Sequence, residues 1–314
     1  MARKTKNVPT DKALYSRVKA AAKKKFKVYP CVPVEGSEAL TRKGWKAFGE
    51  VVVGEDIVAY DRSSDCLVWS EVIALHHHED APLLRMHKAN TCFDFVCTPD
   101  HRWVIRPRAS SAFRSSVRRA KYPDQMVPAS NLTQSMEIIT SARMVDGPPA
   151  DLRGFRKNKW SWVEQVLAMS NEQREAWLAA AVVYDGHENN YSDRYDRGSY
   201  GFSQKNQDHA DATAICAALL GYNVSFKRKK SNPLITSFTF IDRQTHRTQN
   251  VIIDNIEDGE VWCPETSHGT WLMRQKRMVT ITGNSAYANG WVVQEYKRRG
   301  GKYKKASVKV GGRD

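Results

Sequence analysis

Cys31, the Thr98-Pro99-Asp100-His101-Arg102-Trp103 stretch and the Ile281-Thr282-Gly283-Asn284-Ser285 run are the residues of this chain best suited to breaking and remaking peptide bonds. A thiol attacks a carbonyl carbon, and a histidine beside a hydroxyl polarises that carbonyl and handles the proton of the departing nitrogen. An asparagine can close its side-chain amide onto its own backbone carbonyl, and a serine hydroxyl placed after it can carry an acyl group. Each feature alone has a bland reading. A single cysteine is usually a small buried hydrophobe, which is the reading adopted for Cys66, Cys92, Cys97 and Cys216. Thr98-Pro99-Asp100 makes an ordinary turn, and Asn-Ser pairs are common in loops. The order of the features along the chain gives them weight.

Charge divides the chain at the same places. Residues 1–30 carry a net +9 and residues 285–314 a net +6, which together account for the +15 of all 314 residues. The stretch Cys31 to Asn284 is neutral, with 31 basic and 31 acidic side chains. A basic balance points to nucleic acid or another acidic partner, and here it points there only for the ends. No run of about 18 apolar residues and no signal-like amino terminus is present, so membrane insertion and secretion are not expected. Six cysteines without a CxxC pair fit free thiols in a reducing compartment, the cytoplasm.

The elements that must hold these residues are mostly strands. Val51-Val52-Val53, Ile57-Val58-Ala59-Tyr60, Leu67-Val68-Trp69 and Phe93-Asp94-Phe95-Val96 are short β-branched and aromatic runs separated by turn residues. The lysine-crowded residues 1–30 read as a weakly ordered arm and 106–130 as a loop. From Trp160 the period becomes helical: Trp160 to Met169, Asn171 to Tyr184 with Asn171 as N-cap, and Gln207 to Leu220 closed by Gly221. Strand-like 201–203 and 237–241 flank the last helix, and β texture resumes at Val251-Ile252-Ile253 and runs through Val279-Thr280-Ile281. The run His76-His77-His78-Glu79-Asp80 invites a metal reading, but neighbours on a strand face opposite ways, which favours a solvated loop.

Cys31 with Gly36-Ser37-Glu38-Ala39-Leu40-Thr41, the Thr98 and His101 pair, Val261-Trp262-Cys263 with Gly269-Thr270-Trp271, and Thr282-Gly283-Asn284-Ser285 together resemble the splicing blocks of an intein of the Hint type. The resemblance implies a horseshoe-shaped β module and excision of Cys31 to Asn284 with ligation of Pro30 to Ser285, without a cofactor. Two positions depart from the common pattern. Gly283 stands where a histidine is usual, and Cys263 where an aspartate is usual. Trp103, Cys263 and Thr282 match the Trp-Cys-Thr signature of class 3 inteins, in which the internal cysteine attacks the upstream junction directly. Cys31 is also present, so two routes are open, and the proline ring of Pro30 crowds the carbonyl that Cys31 would attack.

Leu178-Ala179-Ala180-Ala181-Val182-Val183-Tyr184-Asp185-Gly186 resembles the LAGLIDADG motif of homing endonucleases, with Asp185 as the acid that would hold Mg²⁺. An alanine-rich core helix closed by an Asp-Gly turn is the alternative. Lys227, Arg228, Lys229 and Lys230 offer phosphate contacts or a plain solvated face. One copy of the motif implies a homodimer or a decayed relic.

The expected organisation is therefore a basic arm at 1–30, a mainly β Hint module at 31–155 and 246–284, an α+β LAGLIDADG-like domain at 156–245 interrupting it, and a second basic end at 285–314. The implied partner of the insert is double-stranded DNA of the intein-free gene. The joined ends resemble small basic phage proteins, whose setting is the cytoplasm of the host cell, and their Tyr and Trp suggest nucleic-acid contact. The rival readings are a basic nucleic-acid-binding protein carrying an inert β module, and a Hint module that only cleaves.

Overall fold

The structure is a computed structural model that describes residues 5–25, 30–89, 91–106, 124–157, 160–188, 198–227, 235–284 and 295–307. The chain forms two compact units: Met1–Tyr29 together with Ser285–Asp314, and Pro30–Asn284.

In the unit made of the two ends, Thr5–Pro9 pairs antiparallel with Tyr303–Ser307, Thr5 opposite Ser307 and Pro9 opposite Tyr303. Asp11 caps the helix Lys12–Lys25, its Oδ1 accepting the Leu14 N–H at 2.8 Å. The Tyr296 hydroxyl accepts the Asp11 N–H at 2.9 Å, and its ring meets Tyr15 edge-on at 5.4 Å. The weakly ordered arm expected for residues 1–30 is thus replaced by a helix and a strand. Their partner lies at the opposite end of the chain, where a local reading of pattern does not reach.

The unit Pro30–Asn284 is built mainly of antiparallel strands. Its longest, Cys66–His87, pairs near its start with Asp56–Asp61 and beyond that with Ile252–Thr266, forming a long ribbon with register shifts near Gly259 and Glu265. Val32–Pro33 pairs on the far edge of Ile252–Thr266. Ser37–Thr41, Thr270–Gln275 and Met278–Gly283 continue the same sheet. A four-stranded sheet, in the order Thr245–Arg247, Glu137–Ile139, Arg102–Arg106, Gln125–Pro128, carries the segment that follows the Thr98 turn. Trp103, Trp262 and Trp271 are fully buried, and apolar side chains so removed from water contribute about 2 kcal/mol each or more.

The helices begin where their caps say they should. Ser161 and Ser170 each form a reciprocal capping box, with Glu164 and Gln173, at the starts of Trp162–Ala168 and Asn171–Asp185. The N-cap of the second is therefore Ser170 and not Asn171, whose buried amide instead donates to the Met144 carbonyl at 2.9 Å. Gln207–Leu219 ends at Gly221, where φ of +92° suits glycine. This α+β stretch shares one apolar core with the β module: Leu40, Val58, Val104 and Leu272 pack with Leu178, Ile215 and Phe238. It is an insertion in chain order, yet the helices have no separate core.

Two further expectations are corrected. Val51, Val52 and Val53 form no strand; Val51 is buried while the other two are exposed on the way into the Gly54 turn. The run His76–Asp80 is no loop but lies inside the Cys66–His87 strand, held by cross-strand partners that its own sequence does not reveal. Of the expected loop 106–130, residues 107–123 lie outside the described residues, and Gln125–Pro128 is a strand. Among the described residues no helix is long and apolar enough to cross a membrane.

Candidate active site

Val32 pairs opposite Trp262, and the next residues outward, Cys31 and Cys263, hydrogen-bond through their side chains. The two thiols meet, and both are buried. Thr98 follows the strand Asp94–Cys97 in a turn closed by the His101 N–H on the Thr98 carbonyl at 3.0 Å. That turn aims Thr98 at Cys31: its Oγ1 accepts the Cys31 N–H at 3.1 Å, and its own N–H donates to the Cys31 carbonyl at 3.1 Å. His101 Nε2 bonds Thr282 Oγ1, which joins the turn beside Cys31 to the strand Met278–Gly283 that leads to Asn284. Trp103 lies edge-on to the His101 ring at 5.3 Å and against Phe95 at 5.2 Å, fixing the imidazole plane. Direct contacts thus link Cys31, Thr98, His101, Trp103, Cys263 and Thr282, while Asn284 follows Thr282 two residues on along the chain. Ser285 lies outside the described residues.

Burial sets the electrostatics. It pushes His101 down to about 4, with the Pro30 backbone pulling partway back, so the ring is neutral at pH 7. Its Nδ1 is buried without a hydrogen-bond partner among the described residues, an arrangement that ordinarily costs roughly 1–3 kcal/mol. A neutral imidazole beside the Pro30 backbone carries a single N–H, and it holds no spare proton for the nitrogen. Cys31 is raised well above the usual thiol range, first by its hydrogen bond with the Cys263 side chain, then by burial and by the charge of Cys263. Cys31 therefore resists ionisation, which weakens it as a nucleophile. Burial pushes Cys97 up to about 12 against the hydrogen bond of Trp103, and Cys216 further against the charge of Arg174, as inert core thiols are. Cys66 and Cys92 are half-buried, and all six cysteines are free.

At the downstream end, Asn284 is buried, with its N–H on the Gly269 carbonyl at 3.0 Å. Its side-chain Nδ2 reaches the Thr266 carbonyl at 3.5 Å and Thr266 Oγ1 at 3.4 Å. Thr266 Oγ1 donates to the Thr270 carbonyl at 2.8 Å, leaving lone pairs toward the asparagine. Thr266, which sequence reasoning passed over, is the hydroxyl nearest the Asn284 amide among these contacts. The turn glycine Gly269, at φ +71°, was the signal that a loop folds back there.

Asp185 stands apart. It is exposed at the end of Asn171–Asp185, and its Oδ2 accepts from Gln204 Nε2 at 3.0 Å. Among the described residues no three His, Cys, Asp or Glu side chains gather as metal ligands. One carboxylate with an amide neighbour does not by itself fit a magnesium ion. The side chain of Lys227, and Arg228, Lys229 and Lys230 entirely, lie outside the described residues.

The sequence matches no protein-family profile and no curated protein. Among solved structures the chain is similar to a class 3 split intein, AceL NrdHF, at 7% identity with a TM-score of 0.39, covering 81% of this chain and 98% of that one. It is similar to a DnaB intein from a Synechocystis species at 7% identity and TM-score 0.37, over 81% and 98%. A DnaX mini-intein from Spirulina platensis matches at 8% identity and TM-score 0.31, over 81% and 99%.

Proposed function

We propose that this chain is a splicing precursor, in which Cys31 to Asn284 is excised and Pro30 is joined to Ser285. The observation that carries this reading is the unbroken buried path from the Pro30–Cys31 bond through Thr98, His101 and Thr282 to Asn284. Bonds far apart in sequence are served by one set of groups.

Cys263 attacks the Pro30 carbonyl, which neutral His101 polarises while Thr98 holds the Cys31 backbone. The C–N bond to Cys31 breaks, the cysteine nitrogen takes a proton, and a thioester on Cys263 results. The Ser285 hydroxyl then takes the acyl group, giving an ester and regenerating the thiol. Asn284 Nδ2 attacks its own backbone carbonyl, the bond to Ser285 breaks, and the freed amine displaces the ester to leave an ordinary peptide bond. Every step is an acyl transfer, so no cofactor is required. Mass spectrometry of the expressed chain is expected to find a peptide spanning Tyr29-Pro30-Ser285-Ala286. Full-length protein alone, under conditions where the fold is intact, refutes the reading. Replacing Cys263 by Ala is expected to abolish splicing while Cys31→Ala leaves it in place, and the reverse pattern assigns the first attack to Cys31.

A second reading concerns the α+β stretch. The helix Asn171–Asp185 leaves Ala176, Ala179, Ala180 and Val183 exposed at helical spacing, with Tyr184 84% exposed and Asp185 at the end. That face favours a second copy packed helix to helix, as a DNA endonuclease with one acid per chain requires. Its target would be the intein-free gene where the codons of Pro30 and Ser285 meet. Excised protein that stays monomeric at micromolar concentration and leaves that DNA uncut in Mg²⁺ marks the stretch as a relic.

A further inference from the structure

We propose that His76, oriented by Glu265, is the base that takes the proton of Cys263. The inference rests on the splicing reading and names the proton acceptor which that reading leaves open.

His101 is placed on the carbonyl side of the upstream bond, bound to Thr282 and set against the Pro30 backbone. A second imidazole lies on the other flank of Cys263. In the ribbon, Cys263 stands directly opposite His76, within a regular register that runs from Val261 opposite His78 to Glu265 opposite Ala74. Residues directly opposite on antiparallel strands project from the same face, with Cβ atoms about 5 Å apart. The alternate residues confirm which face this is, because His77, opposite Trp262, stacks with Phe48 at 4.6 Å, and Phe48 packs on Trp262 at 5.8 Å. Cys263 thus has His76 across from it on one neighbouring strand and the Cys31 thiol bonded to it from the start of the strand on its other edge.

Glu265 lies two residues beyond Cys263 on the same strand, and so on the same face. It is buried, and its Oε2 lies 2.9 Å from His76 Nε2. An ionised carboxylate only accepts, so Nε2 carries the hydrogen and Nδ1 is left as the acceptor. Thiol, imidazole and carboxylate in that order are the parts of an activated nucleophile. The proton leaves Cys263 Sγ for His76 Nδ1 as the S–C bond forms at Pro30. It is balanced by the proton delivered to the Cys31 nitrogen when the C–N bond breaks. His76 remains partly open to solvent, its side chain 32% exposed, so the proton it receives can reach water.

The test uses the full chain carrying Asn284→Ala, which blocks the downstream step, and follows cleavage at Pro30–Cys31 by dithiothreitol, a thiol that traps the thioester. In this background His76→Gly is expected to slow cleavage about a hundredfold, within the range of a positioned base. Millimolar imidazole should restore at least a tenth of the rate, which a merely structural histidine would not allow. Glu265→Gln should slow cleavage less, because the ring remains and only its orienting partner is weakened. Unchanged cleavage in His76→Gly, or a loss that imidazole does not relieve, overturns the assignment. If the Asn284→Ala parent with His76 intact never yields a dithiothreitol-cleaved product, the splicing reading itself has failed.

Discussion

Gly283 lies against Arg102 so closely that a Cβ built on it would stand 2.6 Å from the Arg102 carbonyl oxygen and 2.4 Å from Met126 Cε. The methionine end could move, but the backbone carbonyl could not. Glycine here is a packing requirement, and a histidine at this place has no room. Gly283→Ala is therefore expected to destabilise the unit by about 1–3 kcal/mol through overpacking. Gly283→His should abolish splicing where a catalytic view of the position would have it accelerate Asn cyclisation. Thermal melting, paired with the yield of ligated product, checks both.

With glycine at position 283, Thr266 is the described hydroxyl that holds the Asn284 amide. Thr266→Val removes Oγ1 and keeps the backbone carbonyl, so downstream cleavage should slow about tenfold, the scale of one modest hydrogen bond of about 1.4 kcal/mol. The ester-linked branched species should accumulate, and Thr266→Ser should restore the rate. Denaturing gels that separate branched from linear protein report the ratio. A valine variant that splices at the parental rate removes Thr266 from the mechanism.

The buried histidines set an acid limit. His101 is held down to about 4 and His246 to about 3, both first by burial, while the unfolded chain takes up protons near 6.5. Between those values the unfolded state binds more protons, so stability is fully present above pH 6.5 and falls as pH drops toward 4. His101 alone accounts for about 3 kcal/mol of that loss. Urea midpoints measured at pH 7.0 and 4.5 should differ, and His101→Gln should narrow the gap. Equal midpoints in the parent would show that the ring is not buried as described.

The order Cys31, Thr98, His101, Cys263, Thr282, Asn284 could be read from the sequence because each residue type names its own chemistry and turn residues surround it. What joins them could not be read. The contact of Cys31 with Cys263, and the placing of His76 across from Cys263, depend on pairing registers between strands far apart in the chain. A run of three histidines reads as polar and loop-like until its partners Glu260 and Glu265 are supplied from another strand. Helices were easier, since period and caps are local; the shift from Asn171 to Ser170 as N-cap is one residue wide. The clearance at Gly283 belongs to the same class as the strand registers, because a missing Cβ says nothing of what fills its place.

The two ends of the chain already hold each other before any ligation. Five residue pairs join Thr5–Pro9 to Tyr303–Ser307. Thr10 adds a bond from its Oγ1 to the Lys302 carbonyl at 2.8 Å, and the Tyr296 hydroxyl accepts from the Asp11 N–H. Backbone pairing of this kind does not need the covalent link between Pro30 and Ser285. A precursor cleaved at both junctions without ligation is therefore expected to leave Met1–Pro30 bound to Ser285–Asp314, so that an affinity tag on the first retains the second. Tyr296→Phe removes the acceptor for the Asp11 N–H, and at about 1 kcal/mol for such a bond the retained fraction should fall several-fold at limiting concentration. High salt should weaken the pair little, since both ends are basic and their mutual repulsion is screened as salt rises. Fragments that separate on the column as soon as the junctions are cut would show that the pairing depends on the intact chain.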